Sequence, residues 1–422
     1  HGGGRRLPID SEGFEVLREW IASGAQPSTG RLLEKLEISP RQKLVTDLAG
    51  SFQVRVMATF SDGTTSDVTR WSLFESNDKQ VLQVDATGSV SVLRRGQSSL
   101  MVRFLDHVDR VIVTAPLESV GDDVTQVKGP PRFNFIDDHV NRTLARLQMD
   151  HSAQTDDATF LRRVYLDLTG SLPTPGQQRE FSADRRLDKR THLVDELLRS
   201  EAFVNHWSYI WGDLLQIESR RLGQSGAKAF HKWLKQQIAG KTPLDEMART
   251  LVLATGDGNV DGAANFHRVP NDAREQAEFV SRVFLGVRLQ CANCHNHPLD
   301  RWTQDDYHGL AAVFAKMNRN QVVSVTDRGE VIHPRTKQAA VPRIPGTRFV
   351  STSTDPRAEL ADWMTGPRNP YFARAAVNRI WRQLMGRGLV EPVDDHRASN
   401  PATHPELLNA LATEFVDNKY DL

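Results

Sequence analysis

Cysteine is nearly missing from this chain: there are two in 422 residues, and both fall within the pentapeptide Cys291-Ala292-Asn293-Cys294-His295. So few thiols exclude a disulfide-stapled scaffold, a device that a chain of this length does not need. No stretch approaches the roughly 18 apolar residues of a membrane-spanning helix, and no leader pattern opens the sequence. An excess of one charge is also lacking. With 53 basic and 53 acidic residues, the composition gives no support for nucleic acid or an anionic membrane as a partner. His1 follows no Met and Tyr420-Asp421-Leu422 breaks off without a helix stop, so the expectation is an interior piece of a longer precursor.

What cysteine there is carries the strongest signal. Two thiols three positions apart can add across the two vinyl groups of one haem, and an imidazole directly after the second lies under the iron as its fifth ligand. The expected cofactor is one covalent haem c per chain, held by Cys291 and Cys294 with His295 as the proximal iron ligand. Covalent attachment takes place outside the cytoplasm, which implies export to the periplasm, the cell surface or the medium. Two other readings stay open: a zinc half-site completed by His297 or His308, and a thioredoxin-like redox pair. A redox pair should open a helix in a βαβ context, and a Cys-rich zinc site usually shows a second Cys pair; the sequence has neither.

Length over about 150 suggests about three domains. Residues 11–23 carry the period of a short helix, with Ser11 as N-cap, an apolar face of Phe14, Leu17, Trp20 and Ile21, and Gly24 as the stop. From about residue 32 to 115 the pattern alternates, as in Phe52-Gln53-Val54-Arg55-Val56-Met57-Ala58. Turn signals recur at Ser61-Asp62-Gly63, Ser76-Asn77-Asp78 and Ala86-Thr87-Gly88, at a spacing typical of small β-sandwiches. After a Gly/Pro linker at Lys128-Gly129-Pro130-Pro131, helical periodicity marks residues 134–147, 157–166, 178–181, 189–198, 203–216, 228–237, 244–254 and 274–285, and Thr303 to Met317 is expected as one helix capped by Thr303 and Asp306. A proline-bearing irregular stretch follows, with β-like Gln321 to Val325, and helices return at 358–364, 370–385 and 405–415.

These segments resemble a family of large multidomain cytochrome-type proteins of planctomycetes. The resemblance rests on Phe160-Leu161-Arg162-Arg163-Val164-Tyr165-Leu166-Asp167-Leu168-Thr169-Gly170, Phe284-Leu285-Gly286-Val287, and Cys294-His295-Asn296-His297-Pro298 with Trp302 to Tyr307. Asn369-Pro370-Tyr371-Phe372-Ala373-Arg374, Val377-Asn378-Arg379 and Gly386 to Asp395 are similar to the family's second domain of unknown function. Ala58 to Gly63, Asp67-Val68-Thr69 and Val84 to Gly88 resemble a bacterial Ig-like domain of the second group, and Trp20 to Ala25 the tail of a cytochrome c domain. The resemblance implies a multidomain fold: such a tail at 1–30, an Ig-like β-sandwich at 31–116, a linker at 117–132, a mostly helical haem domain at 133–320, an irregular segment at 321–356, and a mostly helical, incomplete C-terminal domain from 357 to 422. It also implies a second haem domain upstream, and it supplies no reaction. His308 departs from the family, which often has a second Tyr there.

A wall of Phe279, Val283, Phe284, Leu310, Val313 and Phe314 is expected beside the haem, as core that also excludes water. By residue type the sixth-ligand candidates are Met317, His267, His308, His206 and His231. His297, two residues from His295, should not reach the opposite face and suits a supporting contact instead. Trp207, Trp211 and Asp213 read as aromatic core with a surface acid, or as an aromatic relay. Arg162, Arg163, Asp167, Arg374, Asn378, Arg379, Asp394 and Asp395 are expected to form buried ion pairs between the helical domains. The functional expectation is exported electron transfer with a redox partner protein or the upstream haem domain. The alternatives are a haem-dependent oxidoreductase or a self-associating surface protein, and a polysaccharide contact has no fixed carboxylate pair behind it.

Overall fold

The computed structural model describes residues 9–26, 30–105, 107–117, 132–350 and 355–422. The Lys128 to Pro131 linker lies outside them. The first helix, α1 (Glu12–Ala22), is capped by Ser11 as its sequence predicts, and its apolar face stays exposed: no residue of it is buried.

Ten strands follow in residues 33–115: β1 (Leu33–Ser39), β2 (Gln42–Leu44), β3 (Ser51–Gln53), β4 (Arg55–Phe60), β5 (Thr65–Asp67), β6 (Leu73–Ser76), β7 (Leu82–Val84), β8 (Ser89–Val92), β9 (Gly96–Phe104) and β10 (His107–Ala115). They form sheets in the orders β1-β4-β5, β2-β10-β9-β6 and β3-β8-β7, all antiparallel except the β2/β10 pair. Alternation does the work. Val56, Ala58 and Phe60 point inward from β4 while Arg55 and Met57 face out, and they meet Ile38, Val90, Leu100, Val102, Val111 and Val113 in one apolar core. Three turns share one device: Thr64, Thr69 and Thr87 each donate both N–H and hydroxyl to the Oδ1 of Asp62, Asp67 and Asp85, at 2.6–2.9 Å. These aspartates are turn caps, and the donated bonds hold their carboxyls below the usual range.

The rest is mostly helical: α2 (Phe135–Leu147), α3 (Asp157–Thr169), α4 (Pro175–Ala183), α5 (Lys189–Leu198), α6 (Glu201–Leu214), α7 (Ser219–Ala239), α8 (Leu244–Leu253), α9 (Ala273–Val280), α10 (Gln304–Val313), α11 (Pro356–Thr365), α12 (Phe372–Met385) and α13 (Pro405–Asp417). Three short strands, β11 (Gly256–Asp257), β12 (Met317–Asn318) and β13 (Val322–Val325), make a small sheet. One core runs from Trp207 to Tyr420, so the two helical stretches, separate in the sequence reading, pack as one apolar body; α3, α4 and α5 close a smaller cluster around Tyr165 and Phe181. The expected helix from Thr303 to Met317 ends at Val313. Met317 instead pairs with Val325, a partner that helical period cannot reveal.

Candidate functional site

The pentapeptide begins on a 3-10 turn, Gln290–Asn293, a few residues after the wider turn that extends α9 and stops at Gly286; Cys294 and His295 follow just beyond it. Leu289 and Ala292 are buried and anchor the turn, which leaves Cys291, Cys294 and His295 facing solvent. The carbonyl of Asn293 is held from below: His308 Nε2 donates to it at 3.0 Å and Gln304 Nε2 at 3.3 Å. Gln304 N–H also donates to Asn296 Oδ1 at 3.1 Å, so the start of α10 grips both ends of Asn293–Asn296.

His295 Nδ1 sits 2.8 Å from the Asn296 carbonyl, which places the proton on Nδ1 and leaves the Nε2 lone pair free. That is the tautomer an iron or zinc ligand needs. His297 is half-buried and turned into its own loop, where Nδ1 accepts from Leu299 N–H at 3.2 Å and its backbone N–H donates to Trp302 at 2.8 Å. Burial lowers its pKa. Among the described residues no three His, Cys, Asp or Glu side chains converge as metal ligands, so neither His297 nor His308 completes a zinc site with the cysteines. Two outward thiols and one free imidazole nitrogen do fit a group that brings its own equatorial nitrogens.

Beneath the motif, α10 is pinned by one carboxylate. Asp306, 3 % exposed, accepts from Thr303 N–H at 3.0 Å, Thr303 Oγ1 at 2.9 Å, Arg343 Nε at 2.9 Å and Gly346 N–H at 2.8 Å. The first, with Asp306 N–H donating back to Thr303 Oγ1 at 3.2 Å, closes the capping box that the sequence predicts; the last two tie α10 to the irregular stretch after β13. Neither Arg343 nor Gly346 carried a sequence signal. His308 and His333 meet edge to face at 4.9 Å in the same layer, and His333 Nε2 lies 3.0 Å from Asp305.

The sixth-ligand candidates are scattered. His267 is fully buried, with Nε2 3.0 Å from the Val252 carbonyl and Nδ1 3.2 Å from Gln276 Oε1. A neutral ring cannot donate to both oxygens, so turning the Gln276 amide over lets its nitrogen donate to Nδ1 while His267 donates to Val252 from Nε2. His308 is committed to Asn293, and Met317 is buried in the core. His206 lies against Gly170 beside Asp167, and His231 packs on Tyr209 at 5.7 Å. No described hydrogen bond or ring contact links His206, His231, His267 or Met317 to residues 291–297. The wall from Phe279 to Phe314 is buried and packs on itself, with Phe279 and Phe284 both against Phe266. Trp207 and Trp211 are core, and Asp213 is exposed.

The expectation of ion pairs between the helical stretches holds for Asp394 and is corrected for Arg379, Asn378, Asp395, Arg162 and Arg163. Arg288 does pair with Asp394 at 2.6 Å, but Arg379 donates to the carbonyls of Arg282 and Val283 at the end of the α9 extension. A helix end offers partial negative charge without the desolvation penalty of a carboxylate. Burial brings the Arg379 pKa down to about 10. Asn378 bridges Val390 N–H and C=O at 3.0 and 2.9 Å, Asp395 pairs locally with Arg397, and Arg162 and Arg163 are exposed.

Burial pushes His267 to a pKa of about 3 and His396 to about 4, from about 6.5 in an unfolded chain. The unfolded state therefore binds protons that the folded state refuses. Their stabilisation is complete above pH 6.5 and is lost as pH falls toward 3, at about 1.4 kcal/mol per pH unit for each. Urea unfolding at pH 7, 6, 5 and 4 is expected to show a shallower acid limb for His267→Gln than for the wild type. Parallel limbs would mean that His267 titrates normally.

Residues 135–319 match the family model PSCyt2, described as a protein of unknown function (DUF1549), and residues 356–422 match PSD1, a protein of unknown function (DUF1553). No curated protein matches the chain. The first stretch holds the cysteines and α10, the second holds Arg379 and Asp394, and the contacts between them are those just described. The chain is thus similar to two adjoining families of unknown function through most of its helical body, consistent with the planctomycete-type resemblance.

Proposed function

We propose that this chain carries one c-type haem, bonded through Cys291 and Cys294 with His295 as the proximal ligand, and serves electron transfer outside the cytoplasm. The pose of His295 carries the reading: its Nδ1 proton is held by the Asn296 carbonyl at 2.8 Å, and Nε2 is left to solvent beside two exposed thiols. The haem would supply one-electron exchange at its iron. The protein's own part is to hold the turn on buried Leu289 and Ala292, fix the imidazole tautomer, and brace Asn293 through His308 and Gln304. Residues 33–115 we read as an Ig-like spacer, a reading supported by the three Asp-x-Thr turns around one core. The partner would be a redox protein or a haem domain of the same precursor. A pyridine haemochrome spectrum of the purified, denatured chain is expected to show a c-type band that stays with the polypeptide. Its absence removes the proposal.

A second reading has one observation in its favour. His267 and His308 are committed to carbonyls, and Met317 is buried, so no candidate stands ready above the motif. An iron with an open sixth position suits a haem-dependent oxidoreductase. Rapid carbon monoxide binding by the reduced protein selects this reading, and a low-spin spectrum indifferent to the gas selects the electron carrier.

A further inference from the structure

Several arginines in this protein are answered by an acid or by carbonyls: Arg190 meets Asp157 at 2.7 Å, Arg357 meets Asp355 at 2.7 Å, Arg343 meets Asp306 at 2.9 Å, and Arg379 donates to the carbonyls of Arg282 and Val283. One cavity breaks that pattern. It has a volume of about 380 Å³, lies where β10 meets α12 and the loop after the haem motif, and is lined by Arg110, Arg301, Arg374 and Arg397 against a single acid, Asp300. Arg110 comes from the β-rich unit, Arg374 from α12, Arg301 from just beyond His297, and Arg397 from the loop before α13.

The four are only partly neutralised. Arg110 and Arg374, both half-buried, have no ion pair among the described residues; Arg374 opposes the charge of Arg110, and Asp109 offsets part of that cost. Burial lowers the Arg110 pKa, and the nearby Asp109 acts in the opposite direction without cancelling it. Arg301 is spread over Trp302 and Tyr371 at 4.8 and 5.7 Å and donates to the Tyr371 hydroxyl, which fixes its plane without neutralising it. Arg397 lies 3.4 Å from Asp395, yet its buried Nε finds no hydrogen bond. In a protein with no net charge, four guanidinium groups drawn from segments nearly 300 residues apart need a reason. Planar forks converging on one concave space are the arrangement that takes up oxygen anions.

We propose that this cavity binds an oxyanion of two or more negative charges, through phosphate, sulfate or clustered carboxylate oxygens. The cavity adjoins the loop that follows His295, so the oxygens come either from a free ligand or from the carboxylates of a haem held at the motif. The full chain as purified is titrated calorimetrically with inorganic phosphate and with citrate, against chloride at equal ionic strength. Saturable binding of either anion is expected, weakened about tenfold or more in Arg374→Gln and in Arg110→Gln, with Arg374→Lys in between. In chloride alone each Gln variant should melt higher than wild type, because it relieves repulsion between two half-buried cations; an arginine with a merely structural role would melt lower. If only the Cys291→Ser/Cys294→Ser protein binds, the proposal stands with haem carboxylates as the source. Absence of saturable binding in both proteins overturns it, as does unchanged binding in the Gln variants; should one variant fail to fold, the other decides.

Discussion

Asp306→Ala is expected to lose about 3–5 kcal/mol of stability, the range for removing one partner of a buried, hydrogen-bonded charge pair. Four donors converge on that carboxylate, and alanine leaves Arg343, Gly346 N–H and Thr303 N–H facing an emptied space. A domain is stable by only about 5–15 kcal/mol, so the variant should unfold at much lower urea and could fail to accumulate. Asp306→Asn should fall between, because its amide can accept from only one side and presents NH₂ to groups that themselves donate. The adjacent Asp305 is the internal control. It is only partly buried and meets exposed Arg335 at 3.3 Å and His333 Nε2 at 3.0 Å, with none of the backbone donors that converge on Asp306, so Asp305→Ala should cost clearly less, about 1–2 kcal/mol. Equal effects at the two positions would show that the Asp306 network does not hold α10.

How much of this was legible depends on where each partner lies along the chain. Residues whose partners are two to four positions away announced themselves: the capping box of Thr303 and Asp306, the cap of Ser11, and the Asp-x-Thr turns are local bonds written in local sequence. The helices with a clean apolar stripe also fall where the period puts them, as in Lys189–Leu198. The N-terminal half of α7 was missed. Its first turns, Ser219-Arg220-Arg221-Leu222-Gly223, offer one buried apolar side chain and a glycine at φ 72°, so no stripe forms there and the helix is broken at Gly223. Met317 was misplaced because its strand partner Val325 competes with helical continuation only once the chain has folded.

The site divides the same way. Cys291, Cys294 and His295 are contiguous, and their exposure follows from the buried Leu289 and Ala292 that flank them. Arg343 beneath α10 and the guanidinium cluster of Arg110, Arg301, Arg374 and Arg397 are assembled from distant segments, and an unpaired arginine looks like any other in sequence. The Arg379 contact was misread for a related reason. Its charge is answered by the carbonyls of Arg282 and Val283, and backbone carbonyls leave no mark in a list of side chains.

In the haem reading, His295→Ala and His297→Ala should separate sharply. His295 is exposed with Nε2 free, so its loss removes the fifth iron bond while both thioether positions remain; the haem stays attached, turns high-spin, and shifts in potential. His297 spends Nδ1 on Leu299 N–H, and its backbone N–H ties it to Trp302. Its ring faces its own loop, two residues from His295, and alanine should loosen residues 297–302 and move the potential without changing the coordination number. Absorption spectra, magnetic circular dichroism and a redox titration of the two variants give the order directly: severe for His295, moderate for His297. A six-coordinate iron that became five-coordinate in His297→Ala alone, while substitutions at His308, His267 and Met317 did nothing, would make His297 the distal ligand and require the 297–302 loop to refold over the haem.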